Sequence, residues 1–213
     1  MIIVLIGLPG SGKGTQGRLL AKKLNLSHIS IGDMLRQMIE VQSQEGFLIK
    51  ECIAQGKLVP SDLVNSIVKD FLSQEQYKNG YVLDGYPRNL EQAHFLMEFA
   101  NHPIKVLFFD IDEQVIIERI RGRFNCGNCG QIYNQYSIKP KIDGVCDICG
   151  IDNFIYRNDD DDEQTIKKRI QEYKIETYPL IDYYKNNAGF YIIEASKNKK
   201  EVELFLDKML EII

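Results

Sequence analysis

The chain has 213 residues, a net charge of −4 and 44 % hydrophobic residues, which suits one domain with an insertion, or at most two, around a sizeable core. The acidic balance argues against general affinity for nucleic acid or anionic membrane, and no apolar run reaches the roughly 18 residues of a membrane span. The N-terminus enters a strand directly, without the basic region and cleavage site of a signal peptide. The expectation is a cytoplasmic protein, and four of its five cysteines fall in C-x-x-C pairs that favour metal over disulfides.

Met1-Ile2-Ile3-Val4-Leu5-Ile6 is β-branched and apolar without alternation, the pattern of a strand buried on both faces. Gly7-Leu8-Pro9-Gly10-Ser11-Gly12-Lys13-Gly14-Thr15 follows, and then apolar residues at helical spacing from Gln16 to Leu24. Strand, glycine-rich turn and helix make the context of a phosphate-binding loop. Backbone N–H groups of such a loop turn inward and glycines allow close approach, while the helix N-terminus adds positive charge. Lys13 can then reach the β and γ phosphates, and Thr15 can face the Mg²⁺ shell. The motif usually has Ser or Thr straight after the lysine; here Gly14 intervenes.

Residues 27–31 form a short second strand, and Gly32 to Ile39 turns into a helix whose spacing runs on through Phe47 to Ile53. Gly56-Lys57-Leu58-Val59-Pro60 breaks it, and Ser61 or Asp62 caps another helix. Tyr81 to Asp84 is a strand ending in an acid, followed by Gly85-Tyr86-Pro87-Arg88 and a helix over 90–99. Residues 104–110 make a further strand, 113–121 a helix, 163–185 a long helix, 189–194 a last strand and 200–210 a last helix. Alternating strands and helices predict an α/β fold with a doubly wound parallel sheet. Cys52 stands alone at an apolar helical position and reads as a small buried hydrophobe.

Residues 122–158 break the rhythm and read as an insert. Cys126-Gly127-Asn128-Cys129-Gly130 and Cys146-Asp147-Ile148-Cys149-Gly150 are two knuckles with 16 residues between them. Four thiolates suit tetrahedral Zn²⁺ in a closed, structural site. Each following glycine suits a tight turn that aims N–H groups at sulfur.

Asp84 ends a strand where doubly wound folds place ligand groups, and an acid there holds Mg²⁺ in phosphate-loop enzymes. Arg36, Arg88, Arg119, Arg121, Arg123, Arg157 and Arg169 supply the positive clamps that phosphoryl transfer needs. Arg119 and Arg123, four apart, are expected on one helix face pointing into the insert. His28, His94 and His102 form no motif, which fits an acceptor that is already anionic and needs no base.

Together these residues resemble bacterial adenylate kinases of the long form with a Cys₄ zinc lid. The resemblance rests on residues 7–15, Gly32-Asp33-Met34-Leu35-Arg36, Gly56-Lys57-Leu58-Val59, Asp84-Gly85-Tyr86-Pro87-Arg88, Gln92, residues 119–123, both cysteine knuckles, and Arg157 through Arg169. It implies MgATP + AMP ⇌ 2 ADP, catalysed by a monomer with a P-loop core over 1–121 and 159–213. An AMP-binding segment would lie at 30–59 and the lid at 122–158. It implies that Gly10, Ser11, Gly12, Lys13, Gly14 and Thr15 hold the ATP phosphates, clamped by Arg119 and Arg123. Ile132 and Tyr133 would lie beside the adenosine and Lys197 would meet its base. Arg36, Arg88, Arg157 and Arg169 would hold the AMP phosphate or the transferring group. Ile31, Gly85, Gln92 and the backbone of Lys57, Leu58 and Val59 would seat AMP, with a bidentate Gln92–adenine pair. The catalytic set is then Lys13, Asp84, Arg88, Arg119, Arg123, Arg157 and Arg169, with Mg²⁺ as cofactor and Cys126, Cys129, Cys146 and Cys149 as zinc ligands.

Three positions depart from the family pattern. Ile31 stands where Thr is common, Ala195 where Gly is common, and Arg157 and Arg169 are twelve apart, one more than usual, with the extra residue in Asp159–Asp162. The alternative on the same fold is a kinase for UMP, CMP or GMP. A zinc ribbon that binds nucleic acid is the reading from another class, and the net negative charge opposes it.

Overall fold

The computed structural model describes residues 1–41, 43–136, 138–156, 163–196 and 199–210. The chain opens with β1 (Ile2–Gly7), α1 (Lys13–Leu24), β2 (Ser27–Ser30), α2 (Ile31–Glu40), α3 (Gln44–Ala54) and α4 (Ser61–Leu72). Next come β3 (Tyr81–Asp84), α5 (Leu90–Phe99), β4 (Ile104–Asp110), α6 (Glu113–Ile120) and the short strands β5 (Arg123–Cys126), β6 (Ile132–Asn134) and β7 (Phe154–Tyr156). The chain closes with α7 (Glu163–Glu172), a π-helical turn over Tyr173–Thr177, α8 (Pro179–Asn187), β8 (Gly189–Glu194) and α9 (Lys199–Leu210).

Five strands pair in parallel in the order β2-β3-β1-β4-β8. All carboxyl ends therefore share one edge, where such sheets bind ligands. Every residue of β1 is buried: Ile2, Val4 and Ile6 pack into one apolar cluster, and Ile3 and Leu5 into the other. That two-sided burial is why the strand carries no polar alternation, and each Ile or Leu so buried contributes about 1.5–3 kcal/mol. The register sets Leu5 opposite Asp84 and Gly7 opposite Phe109, so the loop after β1 emerges beside the acid that ends β3.

The insert is a three-stranded antiparallel sheet in the order β6-β5-β7. Its core is small: Phe124 and Tyr133 stack at 5.6 Å, Phe154 meets both edge-on, and buried Cys126 and Cys146 complete it.

Four local expectations are corrected. The helix expected through 32–53 is two helices, because Ser43 Oγ accepts from Gly46 N at 3.0 Å and caps α3 separately. The helix expected over 163–185 breaks at the π turn before Pro179, whose ring cannot continue a regular helix from the preceding turn. Ser61 and Asp62 lie inside the first turn of α4, which follows Pro60 and has no side-chain cap; Ser61 Oγ accepts from Asn89 Nδ2 instead. Arg119 and Arg123 do not share a helix face, since α6 ends at Ile120 and Arg123 opens β5. Cys52 packs half-buried against the first apolar cluster, as expected.

Candidate active site

The loop between β1 and α1 is shaped by what its glycines avoid. Gly10 and Gly12 have φ of 81° and 88°, a region that other residues enter at a cost. A Cβ at Gly10 would also lie 2.7 Å from Ile120 Cγ1. Gly14 explains the departure from the usual motif: a Cβ there would stand 2.8 Å from Asp84 Oδ2. The carboxylate at the end of β3 presses on the first turn of α1, and only glycine leaves it room.

Lys13 Nζ donates to Leu8 O at 3.3 Å. Burial pushes its pKa down to about 8, Asp84 opposes that, and the charges of Arg88, Arg123 and Arg169 add to it. Residues from α1, the β3–α5 loop, β5 and α7 thus direct four cations at one place. They line a cleft of about 500 Å³ at the carboxyl edge of the sheet. Like charges so gathered destabilise one another until a polyanion neutralises them. A pH prediction follows from Lys13. The value of kcat/KM for the nucleotide triphosphate reports the free enzyme and should fall as pH rises through about 8, where the free lysine loses its proton. A profile flat to about pH 9.5 would remove Lys13 from that role.

Arg88 is held by its neighbours. Its Nε donates to Gly85 O at 2.8 Å, its backbone N–H donates to Gln92 Oε1 at 2.8 Å, and its carbonyl accepts from Thr177 Oγ1 at 2.7 Å. Asn89 Oδ1 accepts from Gln92 N at 3.0 Å and caps α5, which sets Gln92 in the first turn. Arg36 reaches the same place from α2, its Nη2 donating to Asp33 Oδ1 at 2.6 Å. A Cβ on Gly32 would sit 3.3 Å from Arg36 Nη2 and 3.7 Å from Arg88 Nη2, so two guanidinium groups meet over one glycine. Both line the same cleft as the loop after β1.

A family model described as adenylate kinase matches residues 5–189. The chain is 53 % identical to an adenylate kinase of Rickettsia africae, 52 % to one of Rickettsia conorii and 51 % to one of Rickettsia typhi, with the whole of both chains covered each time. The chain belongs to the adenylate kinase family.

Other residues that the family resemblance singled out fall around this cleft. Ser11, Thr15, Ile31, Lys57, Leu58, Val59, Arg119, Arg123, Ile132 and Arg169 all line it. Arg119 donates to the carbonyls of Ala195 at 2.9 Å and Ser196 at 3.4 Å, which ties α6 to the loop after β8. Leu58 N donates to Glu172 Oε1 at 3.1 Å, so the 57–59 stretch is tied to α7. Arg157, Lys197 and Asp159–Asp162 lie outside the described residues.

Gln92 is oriented by Arg88, whose N–H takes one lone pair of its Oε1; the other lone pair and the NH₂ end remain for a base. Tyr133 reaches the cleft wall, but its ring lies in the insert's core and its hydroxyl donates to Cys146 Sγ at 3.4 Å.

His28 had no motif to mark it. On β2 its Nε2 lies 3.7 Å from Asp84 Oδ2. Burial holds its pKa down, while Asp84 pulls the other way. Strand pairing brings these two together across 56 positions of sequence, and no spacing rule reports such a pair.

In the insert the four sulfurs lie within 4.8 Å of one another, Cys126 to Cys149 at 3.5 Å and Cys129 to Cys146 at 3.6 Å. A tetrahedron with metal–sulfur bonds of about 2.3 Å has sulfur edges of about 3.8 Å, so the spacing suits one cation. Gly130 and Gly150, at φ 69° and 71°, return their own N–H groups to the carbonyls of Cys126 and Cys146. Their turn frees the next N–H groups, of Gln131 and Ile151, to face Cys129 and Cys149. Burial opposes ionisation of Cys146, but the Tyr133 hydroxyl and the N–H groups of Cys149 and Ile148 outweigh it and hold the thiol down, to about 6. Burial pushes Cys129 up, to about 12, and the neighbouring sulfurs add to that. Four such thiols ionise together only around a cation. No helix among the described residues is long and apolar enough to cross a membrane.

Proposed function

We propose that this cleft seats ATP on the phosphate loop and AMP between α2, residues 57–59 and Gln92, under a zinc-bearing lid. The reaction is the reversible transfer of the terminal phosphoryl group of MgATP to AMP, giving two ADP. The observation that carries the assignment of residues is the convergence of Lys13, Arg88, Arg123 and Arg169 on one cleft beside Arg36. Positive groups fixed before the reaction stabilise charge as it spreads over the moving phosphoryl group. The acceptor phosphate is already anionic, so no base has to remove a proton.

Lys13 and the loop N–H groups hold the donor's phosphates; Arg88 and Arg36 hold the acceptor's. Arg119, Arg123 and Arg169 close on the bridge between them, joined by Arg157, and Ile132, Tyr133 and Lys197 border the ATP adenosine. Mg²⁺, when bound with ATP, would offset part of the phosphate charge. Asp84, against the first turn of α1, and Thr15 are the residues that would hold it. Residues 122–158 form the lid, which excludes the water that would otherwise hydrolyse ATP. Residues 1–121 and 159–213 form the core, with 30–59 as the AMP segment. The four cysteines hold structural Zn²⁺, the divalent ion that four thiolates suit best. We place the enzyme in the cytoplasm as a monomer, and assign it no nucleic-acid or membrane partner.

The test is a phosphorylation assay over AMP, GMP, UMP and CMP at saturating MgATP, with two variants. Ile31 is 1 % exposed and gives the AMP pocket apolar surface only. Ile31→Thr should change kcat/KM for AMP by no more than about tenfold, the range of one neutral hydrogen bond. Gln92→Ala should cost more, since it removes the amide that would pair with the base and also leaves Arg88 N without its acceptor. If Gln92→Ala is silent and another monophosphate outcompetes AMP, the acceptor assignment fails.

A further inference from the structure

Arg18 lies on α1, five residues beyond Lys13, half-buried at the wall of the cleft. Nothing in the phosphate-loop chemistry requires a cation there. Among the described residues it has no hydrogen bond or ion pair. Its guanidinium instead approaches the insert with Nη1 leading: a Cβ built on Gly130 would stand 3.0 Å from Arg18 Nη1, 3.5 Å from Cζ and 3.9 Å from Nη2. Gly130 directly follows Cys129, one of the four ligands, and turns with φ 69°. A side chain there would crowd Nη1, and the positive φ favours glycine in any case.

We infer that Arg18 is the core's counter-charge to the lid's metal centre, the fixed cation onto which the tetrathiolate knuckle docks when the lid closes. The inference rests on the reading that the four cysteines hold zinc. A divalent cation with four thiolates carries a net charge of about −2, and it rides on the lid. A guanidinium is weakly hydrated and planar, suited to lying against a backbone turn beside such a centre. Because Arg18 and Lys13 share α1, closing the lid onto one brings it over the phosphates held by the other. The metal's charge, and not only its folding of the insert, then favours the closed lid.

The test compares wild type, Arg18→Gln and Arg18→Lys as full-length enzymes, each first analysed for metal. Zinc release to a colorimetric chelator is followed with and without a non-hydrolysable ATP analogue, at low and high salt. With the analogue at low salt, Arg18→Gln should release zinc about fivefold faster than wild type. Arg18→Lys should restore most of the difference, and high salt should shrink it. Equal release rates for wild type and Arg18→Gln at low salt, in protein that carries zinc, would overturn the role of Arg18 and leave the zinc reading standing. Wild-type protein purified without chelator and free of metal would overturn both. A raised KM for MgATP with unchanged zinc release would assign Arg18 to the nucleotide and overturn the docking role.

Discussion

Lys13→Ala should lower kcat by about a hundred- to a thousandfold, the range for removing one preorganised donor from a developing charge, while the fold and metal content stay intact. The expectation follows from how little else Lys13 does. Among the described residues its ammonium has one hydrogen bond, to the Leu8 carbonyl, and burial together with three arginines opposes its charge. The folded pKa, about 8, lies below the ordinary value of 10.5. Folding therefore carries a cost that is fully present below about pH 8 and disappears as pH rises through 10.5. Lys13→Ala should raise Tm at pH 7, and the gain should shrink between those two pH values. Loss of activity with a gain in stability marks a residue kept for chemistry. A variant with near-wild-type kcat would end the assignment.

Cys126→Ser should strip the metal and lower Tm by several degrees, at about 2–4 °C per kcal/mol for a chain of this size. The insert has a small aromatic cluster, and two of the four cysteines, Cys126 and Cys146, are buried inside it. Binding energy at such a site is folding energy for the segment around it. A serine hydroxyl does not ionise at neutral pH and leaves three thiolates around the cation. Metal analysis should fall from about one Zn²⁺ per chain to a small fraction of that. Activity should persist at reduced kcat/KM for MgATP, because Lys13, Arg88 and Arg169 lie outside the insert. Unchanged metal content and Tm would show that the sulfurs do not form one closed shell.

The expectations from sequence that hold are those carried by neighbours along the chain. The phosphate loop is legible because one short stretch supplies the strand, the turn glycines, the lysine and the helix start. The cysteine knuckles are legible because metal geometry demands close, regular ligand spacing. Where the reading missed, the missing information was spatial. Ser43 starts a separate helix through its own hydroxyl after α2 has ended at Glu40, a choice that apolar spacing through Phe47 does not display. Gln92 is oriented by the backbone N–H of Arg88, a contact that no spacing in the sequence displays.

By itself the sequence determined the fold class, the phosphate loop, the four-cysteine cluster and the family resemblance. These arise from local chemistry: dihedral freedom at glycine, two-sided burial of β-branched strands, and the ligand number of a soft divalent ion. Only the tertiary structure decided that Gly14 is glycine because of Asp84, that His28 stands behind that acid, and that Arg18 lies against Gly130. Each of these contacts joins elements brought together by parallel strand pairing or by the placement of the insert beside α1. Their partners are distant in the chain, and a contact between distant residues leaves no period or spacing for a sequence to show.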